Sequence, residues 1–237
     1  YFDAGATVVG VGSSLTGLTT DDISSYFQTL SNDLETGRSR AESQIRYDID
    51  MSFRPVTLAA TTRVCDDIAL LTFDRKINVQ AGEFVFLWLP GLGEKPFSAL
   101  TDDPFTLAVI DLGQFTHALM DLPAGTEAYV RGPHGIPVAP PEHAKIMAVA
   151  GGTGLAAVYQ IARDFGNAEV FAGARSADRL YYLDECRKVA EVHVATDDGS
   201  AGFHGVVTEL LRERLMAMSE PERAQLKADL VTGDFIA

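Results

Sequence analysis

Three glycines within four residues are the strongest candidates for binding a phosphate. Residues 146–150 are uniformly apolar, which is typical of a strand buried on both faces of a parallel sheet. Apolar residues then recur at helical spacing from Leu155 onward. Between these segments lie Gly151, Gly152, Thr153 and Gly154. A glycine turn that opens a helix can bring unpaired backbone N–H groups close to an anion, and residues 152–157 fit the G-x-G-x-x-A variant of the dinucleotide fingerprint. The pattern predicts a nucleotide site; a tight strand–helix connection without a ligand is the alternative.

Residues after the next two predicted strands are candidates for binding the rest of a dinucleotide. These strands are expected at 168–172 and 191–196, and strand carboxyl ends line the ligand crevice of a parallel α/β sheet. Arg175 follows the first of them, where an acidic residue would indicate NAD and an arginine can receive the 2′-phosphate of NADP. Asp197 and Asp198 follow the second, and they either contact the cofactor or serve as ordinary turn residues. The sequence therefore predicts NAD(P) without deciding between the two.

Composition narrows the classes of function. The chain has 237 residues, 46% of them hydrophobic, and a formal net charge of −14. Such an acidic chain is a poor partner for nucleic acid, and no apolar run is long enough for a membrane span. Cys65 and Cys186 are the only cysteines and form no C-x-x-C motif, which predicts neither a metal site nor a disulfide framework. A cytoplasmic protein is expected.

The region before the glycine turn has the pattern of a small barrel. Short β-rich runs are separated by turn signals, and they lie at residues 56–64, 68–73, 84–89, 106–110 and 127–130. One short helix is predicted within residues 113–122. Prolines at 137, 140 and 141 then mark a boundary, after which strands alternate with helices, the later helices being expected at 180–189 and 206–216. We expect mixed β and α/β architecture: an antiparallel β-barrel at residues 51–141, then a doubly wound parallel α/β domain at 142–237.

Residues 1–50 differ from the rest. A β-branched run at 7–11 and a predicted helix ending near Leu34 form one βα unit, followed by a polar linker. This stretch resembles the last strand and helix of the dihydroorotate dehydrogenase catalytic subunit, a (β/α)₈ barrel that holds FMN. In that family the turn matching residues 10–14 cradles the FMN phosphate. Most of such a barrel lies outside this sequence, so we expect a barrel remnant that does not bind FMN by itself.

Five motifs, in order, carry a second resemblance. They are G-E-F at 82–84, E-K-P-F-S at 94–98, G-Q-F-T at 113–116, R-G-P-H-G at 131–135 and the glycine turn at 151–154. Together they resemble the ferredoxin–NADP reductase superfamily, and residues 53–230 are most similar to the electron-transfer subunits of bacterial NAD-linked dihydroorotate dehydrogenases. The resemblance implies FAD on the barrel and a nicotinamide dinucleotide on the α/β domain, with NAD favoured over NADP.

The same resemblance implies roles for individual residues. Lys95, Pro96, Phe97 and Ser98 match an Arg-x-Tyr-Ser motif, in which the basic residue meets the FAD phosphate, the aromatic ring lies against the flavin, and the serine hydroxyl faces flavin N5. Ser98 is therefore the expected catalytic residue. Lysine in place of arginine keeps the charge but loses the bidentate fork.

The resemblance also implies roles for the glycine-containing motifs. Gly113 and Thr116 belong to the pyrophosphate turn, in which Phe115 replaces a small residue. Gly132 belongs to a turn bordering the domain cleft, and His134 beside it is assigned no role. The turn at 151–154 would take the pyrophosphate of the nicotinamide dinucleotide.

The resembled enzymes pass electrons through a [2Fe–2S] cluster to FMN in a partner subunit. Their cluster cysteines follow a motif that would begin where this sequence ends, so we expect no cluster on these 237 residues. The predicted function is an NAD(P)H-linked flavin oxidoreductase in pyrimidine biosynthesis. It would form a hetero-oligomer with a dihydroorotate dehydrogenase catalytic subunit or an equivalent FMN protein. The alternatives are an FAD-binding docking module without turnover, or a subunit of a sulfide dehydrogenase or hydrogenase.

Overall fold

A computed structural model of the chain describes residues 52–140 and 145–219. The βα unit and linker predicted for residues 1–50 lie outside the described residues. The first described segment contains β1 (Arg54–Cys65), β2 (Ile68–Phe73), β3 (Phe84–Leu89), β4 (Gly93–Phe97), β5 (Ala99–Asp102), β6 (Phe105–Ile110), α1 (Gln114–Met120) and β7 (Glu127–His134). The second contains β8 (Ile146–Gly151), α2 (Leu155–Phe165), β9 (Ala168–Ala174), α3 (Leu183–Arg187), β10 (Glu191–Thr196), β11 (Phe203–His204) and α4 (Val207–Ala217). One-turn 3₁₀ helices lie at Gly152–Gly154 and Ala177–Arg179.

The first segment folds into a seven-stranded antiparallel sheet in the order β4-β3-β7-β1-β2-β6-β5. Its edge strands, β4 and β5, follow one another in the chain with only Ser98 between them. A single residue cannot bridge two distant edges, so the sheet must curl until its edges meet. The predicted β-barrel is confirmed as this antiparallel sheet.

Alternation along the strands fills the inside of the curled sheet. In β3, Val85, Leu87 and Leu89 are at most 3% exposed and join one apolar core with residues from the other strands. The intervening Phe84, Phe86 and Trp88 are half-buried on the outer face. Helix α1 packs Leu119 against the same core. Burying such apolar side chains stabilises the fold by about 1.5–3 kcal/mol each.

The second segment is a parallel sheet in the order β11-β10-β9-β8, with helices on both faces. Val170 and Ala172 of β9 pack in one cluster with residues of α2. Glu169 and Gly173, on the opposite face of the same strand, contact α4: Arg214 bonds to Glu169, and Val207 lies against Gly173. Coverage of both faces confirms the predicted α/β fold.

Within the described residues, an apolar joint and two ion pairs connect the two sheets. Leu100 of β5 and Ile68 of β2 lie in the same buried cluster as Leu155 of α2. Beside this joint, Nη1 of Arg163 lies 2.8 Å from Asp102. The second pair joins Asp67, between β1 and β2, to Arg179, with Nη2 of Arg179 2.7 Å from Oδ2 of Asp67.

Several local predictions need correction. Strands β4, β5 and β11 were not expected from the sequence: β4 contains glycine, proline and two charged residues, which masks a strand pattern. Strand β7 continues to His134, beyond the predicted end at residue 130. The helix expected at 180–189 is only α3, because Tyr182 adopts a left-handed φ of 58° immediately before it and residues 177–179 form a 3₁₀ turn.

Candidate functional site

The glycine turn lies at the carboxyl end of β8. Gly151 is the last residue of that strand, and Gly152–Gly154 form a 3₁₀ turn that leads into α2. Gly152 has a φ of 52°, a conformation that favours glycine, and a Cβ added at Gly151 or Gly152 would meet no atom within 4 Å. The backbone at this turn is therefore open to close approach by a ligand, as a phosphate cradle requires.

A small pocket lies beneath the turn. Its walls include Gly152, Leu155, Gly173, Arg179 and Tyr181. The Tyr181 hydroxyl donates to the backbone oxygen of Thr153 at 3.1 Å, and burial raises its pKa, so the phenol stays protonated and holds the turn. The segment after β9 thus closes over the glycine turn.

Arg175 and Asp198 lie next to each other at the same edge of the sheet. The Asp198 N–H donates to the backbone oxygen of Arg175 at 3.1 Å. The Asp198 carboxylate accepts hydrogen bonds from the hydroxyl and the N–H of Ser200, at 2.6 and 3.0 Å, and these bonds lower its pKa. Arg175 is exposed and forms no ion pair within residues 52–140 and 145–219. This arrangement favours the turn interpretation for Asp198 and leaves the guanidinium of Arg175 accessible.

The motif at 95–98 lies where the two edges of the curled sheet meet. Lys95 is exposed and has no ion-pair partner within the described part of the chain. Ser98 is half-buried between β4 and β5, and its hydroxyl bonds to none of the described residues. Pro96 lies opposite Phe86 of β3. A cation and an uncommitted hydroxyl are therefore presented at one corner of the barrel.

Phe97 and Phe115 point into the barrel core. They are each 7% exposed, and their ring centroids lie 6.4 Å apart. Phe115 therefore does not obstruct the turn at Gly113, although it replaces a small residue of the resembled motif. Phe97 offers only a small part of its surface to a ligand beside Ser98.

The turn before α1 is organised by Thr116. Its hydroxyl accepts from the N–H groups of Leu112 and Gly113 at 2.9 and 3.1 Å and donates to the Gly113 oxygen. Thr116 is 4% exposed, so it shapes the turn from inside the protein. A Cβ at Gly113 would meet no atom within 4 Å, which leaves the outer side of the turn open.

Gly132 lies in β7, between Arg131 of the same strand and Arg54 of β1. Its backbone oxygen accepts from the Arg54 guanidinium, and its φ of 111° favours glycine. Next to it, Arg131 makes two hydrogen bonds to Glu94, at 2.7 and 2.8 Å, and stacks 4.1 Å above the ring of Phe86. Burial and the Arg131 charge lower the pKa of His134, which favours a neutral imidazole.

The structure brings the two halves of the candidate site together. Leu100, two residues after Ser98, packs in the same cluster as Leu155, the first residue of the helix after the glycine turn. Sequence reasoning missed the pairs Arg131–Glu94 and Arg179–Asp67, because their partners are 37 and 112 residues apart. Glu94 could have been noticed in the sequence, since it opens the E-K-P-F-S motif. No sequence feature marks Asp67.

The described residues contain neither a metal-binding cluster nor a membrane-spanning helix. Within 52–140 and 145–219, no group of three or more His, Cys, Asp or Glu side chains is placed to hold a metal ion. Across the same residues, every helix is too short or too polar to traverse a bilayer.

No family model matches the chain. The probable dihydroorotate dehydrogenase B (NAD(+)) electron transfer subunit of Pyrococcus abyssi is 38% identical over 170 residues, which cover 70% of this chain and 67% of the relative. Its namesake in Thermococcus kodakarensis is 37% identical, over 68% of this chain and 70% of the relative. The solved structure of an NADH-dependent reduced ferredoxin–NADP oxidoreductase superposes with a TM-score of 0.62 at 26% identity, over 69% of this chain and 64% of that one.

An antiparallel barrel joined to a parallel α/β sheet, with a glycine turn facing the joint, defines an oxidoreductase of the ferredoxin–NADP reductase type. Within that class, the chain belongs to the family of dihydroorotate dehydrogenase B electron transfer subunits. Both resemblances drawn from residues 53–230 are thereby confirmed. The chain spans about two thirds of the length of these relatives.

Proposed function

We propose that this chain is an FAD-dependent module that accepts electrons from NAD(P)H and passes them to the catalytic subunit of a dihydroorotate dehydrogenase, in pyrimidine biosynthesis. The observation that carries the proposal is the corner at Ser98, whose uncommitted hydroxyl lies beside the joint with the dinucleotide-type sheet. FAD supplies the hydride acceptor in this chemistry, and the nicotinamide supplies the hydride. The protein binds and orients the two.

The residues present fit FAD on the barrel. Lys95 offers a positive charge for a phosphate, the open turn at Gly113 lets the pyrophosphate approach, and Thr116 holds that turn in shape. Ser98 would donate a hydrogen bond to flavin N5, with Pro96 and the accessible part of Phe97 beside the ring. Gly132, whose backbone oxygen accepts a hydrogen bond from Arg54, would border the cleft between the two domains.

The residues of the α/β half fit a nicotinamide dinucleotide. The open glycine turn, Gly151, Gly152, Thr153 and Gly154, would receive the pyrophosphate. Arg175 and Asp198 would border the adenosine ribose, and the exposed Arg175 guanidinium is compatible with either NAD or NADP. Membership of a family whose relatives are named for NAD(+) favours NAD.

We propose residues 51–141 as the FAD domain and 142–237 as the dinucleotide domain. Two cysteines cannot supply four cluster thiolates, so a [2Fe–2S] centre in the electron path would be held by residues outside this sequence. FMN would belong to the partner subunit. A hetero-oligomer and a cytoplasmic location stay predictions.

Stopped-flow spectroscopy tests the proposal. The purified chain, loaded with FAD, should lose its flavin absorbance when mixed with NADH. The Ser98→Ala variant should bind FAD normally but bleach about tenfold more slowly, the effect of one lost hydrogen bond to the acceptor. Thr101→Val removes a hydroxyl that donates to the backbone oxygen of Pro104, in the turn between β5 and β6, and this variant should bleach at the wild-type rate. A protein that stays colourless with added FAD would contradict the proposal.

A docking module that binds FAD without turnover is the second candidate. It is favoured by the Arg179 guanidinium, which lines the pocket at the glycine turn but is already bonded to Asp67. In that case FAD binds, but neither NADH nor NADPH bleaches it. Family membership weighs against the sulfide dehydrogenase and hydrogenase alternatives.

A further inference from the structure

Arg179 lines the pocket beneath the glycine turn, but its side chain is bonded to a residue of the barrel. It ends the 3₁₀ turn after β9, and its guanidinium reaches Asp67 in the loop between β1 and β2 of the barrel. Nη1 and Nη2 of Arg179 lie 2.7 Å from Oδ1 and Oδ2 of Asp67, a bidentate geometry. A wall of the candidate dinucleotide pocket is therefore fixed by a carboxylate of the other domain.

Arg179 is the charged residue among those that line the pocket at the glycine turn. Its neighbours in the lining are held in place, since Leu155 and Tyr181 are buried and Gly173 lies against Val207. The side chain of Arg179 is 19% exposed and that of Asp67 is 37% exposed, so a ligand can reach their ion pair from solvent.

The guanidinium has two possible anionic partners. One is the Asp67 carboxylate, and the other is a phosphate held at the glycine turn, since Arg179 and Gly152 line the same pocket. Arginine binds carboxylates and phosphates through the same planar fork, so it cannot serve both with full bidentate geometry. The two anions therefore compete.

We propose that Arg179 is an exchangeable latch: Asp67 holds it in the empty protein, and the pyrophosphate of the nicotinamide dinucleotide takes it from Asp67 on binding. The proposal rests on the dinucleotide function proposed above. Release of Asp67 removes one of the two ion pairs between the sheets and leaves the apolar joint around Leu100 with the Arg163–Asp102 pair as a hinge. Binding of the dinucleotide is thereby coupled to the relative position of the two domains.

The two partners of the ion pair have opposite effects on binding. Asp67→Asn removes the competitor and should tighten binding of NAD⁺ about fivefold, which corresponds to about 1 kcal/mol. Arg179→Gln breaks the same ion pair but also removes the guanidinium that would bind the phosphate. It should therefore weaken binding of NAD⁺ about tenfold. If the ion pair were purely structural, both variants would change the affinity for NAD⁺ in the same direction.

Titration calorimetry of the FAD-loaded chain with NAD⁺, and separately with NADP⁺, measures these shifts. Asp102→Asn is the matched control, because it breaks the other ion pair between the sheets and should change affinity less than about twofold. Retained flavin absorbance shows that each variant is folded. Equal affinities of wild type and Asp67→Asn would overturn the latch and leave the dinucleotide function standing. Absence of binding in both proteins would overturn the two proposals together.

Discussion

Glu169 and Arg214 are joined by two hydrogen bonds, of 2.8 and 2.9 Å, between strand β9 and helix α4. The Glu169 side chain is only 5% exposed, and Nζ of Lys145 lies 2.5 Å from its Oε1 atom. Nε2 of His193 lies 3.4 Å away and has no hydrogen-bond partner within the described residues. One buried carboxylate thus neutralises two cations beneath α4.

Glu169→Ala should lower the free energy of unfolding by about 3–5 kcal/mol, because it removes the buried negative charge that faces the partly buried Lys145 and Arg214. Urea unfolding measures the change. Glu191→Ala is the matched control, since Glu191 is 69% exposed and 3.6 Å from the His193 ring; it should cost less than about 0.5 kcal/mol. A loss below about 1 kcal/mol for Glu169→Ala would show that α4 is held in another way.

The same carboxylate makes stability depend on pH. Burial alone would raise the pKa of Glu169, but hydrogen bonds from Arg214 and Lys145 outweigh burial and lower it below 4.5. Because the folded-state pKa is depressed, the stabilisation is complete above pH 4.5 and is lost as the pH falls through the folded-state value. Urea unfolding between pH 3 and 7 should show this loss in wild type. Glu169→Gln should have a smaller slope in the acid range, and an unchanged slope would contradict the assignment.

Lys95 should set the affinity for FAD. Lys95→Ala removes a charged phosphate contact and should weaken FAD binding about tenfold. Lys95→Arg adds the bidentate fork and should tighten it. Fluorescence titration of the apoprotein measures both. Lys188→Ala, which breaks a surface pair with Glu185, should leave FAD affinity unchanged; equal affinities for all three variants would remove Lys95 from the site.

Thr116 should stabilise the turn without touching the ligand. Thr116→Val leaves the N–H groups of Leu112 and Gly113 without their acceptor and should cost about 1–3 kcal/mol of stability, with weaker FAD binding. Thr116→Ser keeps the hydroxyl and should retain FAD affinity. Thermal unfolding and FAD titration test the pair, and equal FAD affinity in all three proteins would separate this turn from the flavin site.

Substitutions at two glycines should distinguish an effect on packing from an effect on FAD binding. A Cβ at Gly173 would lie 2.7 Å from Cβ of Val207, so Gly173→Ala should destabilise the fold by about 1–3 kcal/mol. At Gly113 a Cβ meets no protein atom, so Gly113→Ala should change stability by less than about 1 kcal/mol. It should nevertheless weaken FAD binding, because the methyl group occupies the approach to the turn. Normal FAD affinity in Gly113→Ala would contradict the pyrophosphate assignment.

Sequence periodicity was sufficient for most of the fold and for part of the site. The β-rich run at 84–89 and the apolar run before Gly151 both predicted strands that the structure contains. Strand β4 was missed because its pairing with β3, and not its composition, makes it a strand. Contacts such as Asp67–Arg179 were beyond prediction, because nothing local marks a partner 112 residues away. The burial of Phe97 was missed for a similar reason: a motif assigns a residue type but not the face on which its side chain lies.

The position of Ser98 between two edge strands has a consequence for folding. Hairpins β3–β4 and β5–β6 can each form from neighbouring residues, but they are tied through β7, β1 and β2 on the far side of the ring. The angle between the hairpins, and with it the direction of the serine hydroxyl, is set only after these distant strands have paired, which is the slow part of assembling a β-protein. In a partly assembled chain the motif at 95–98 is present in the sequence, but its side chains are not yet placed together. If this corner binds FAD as proposed, the appearance of flavin absorbance during refolding would report completion of the ring.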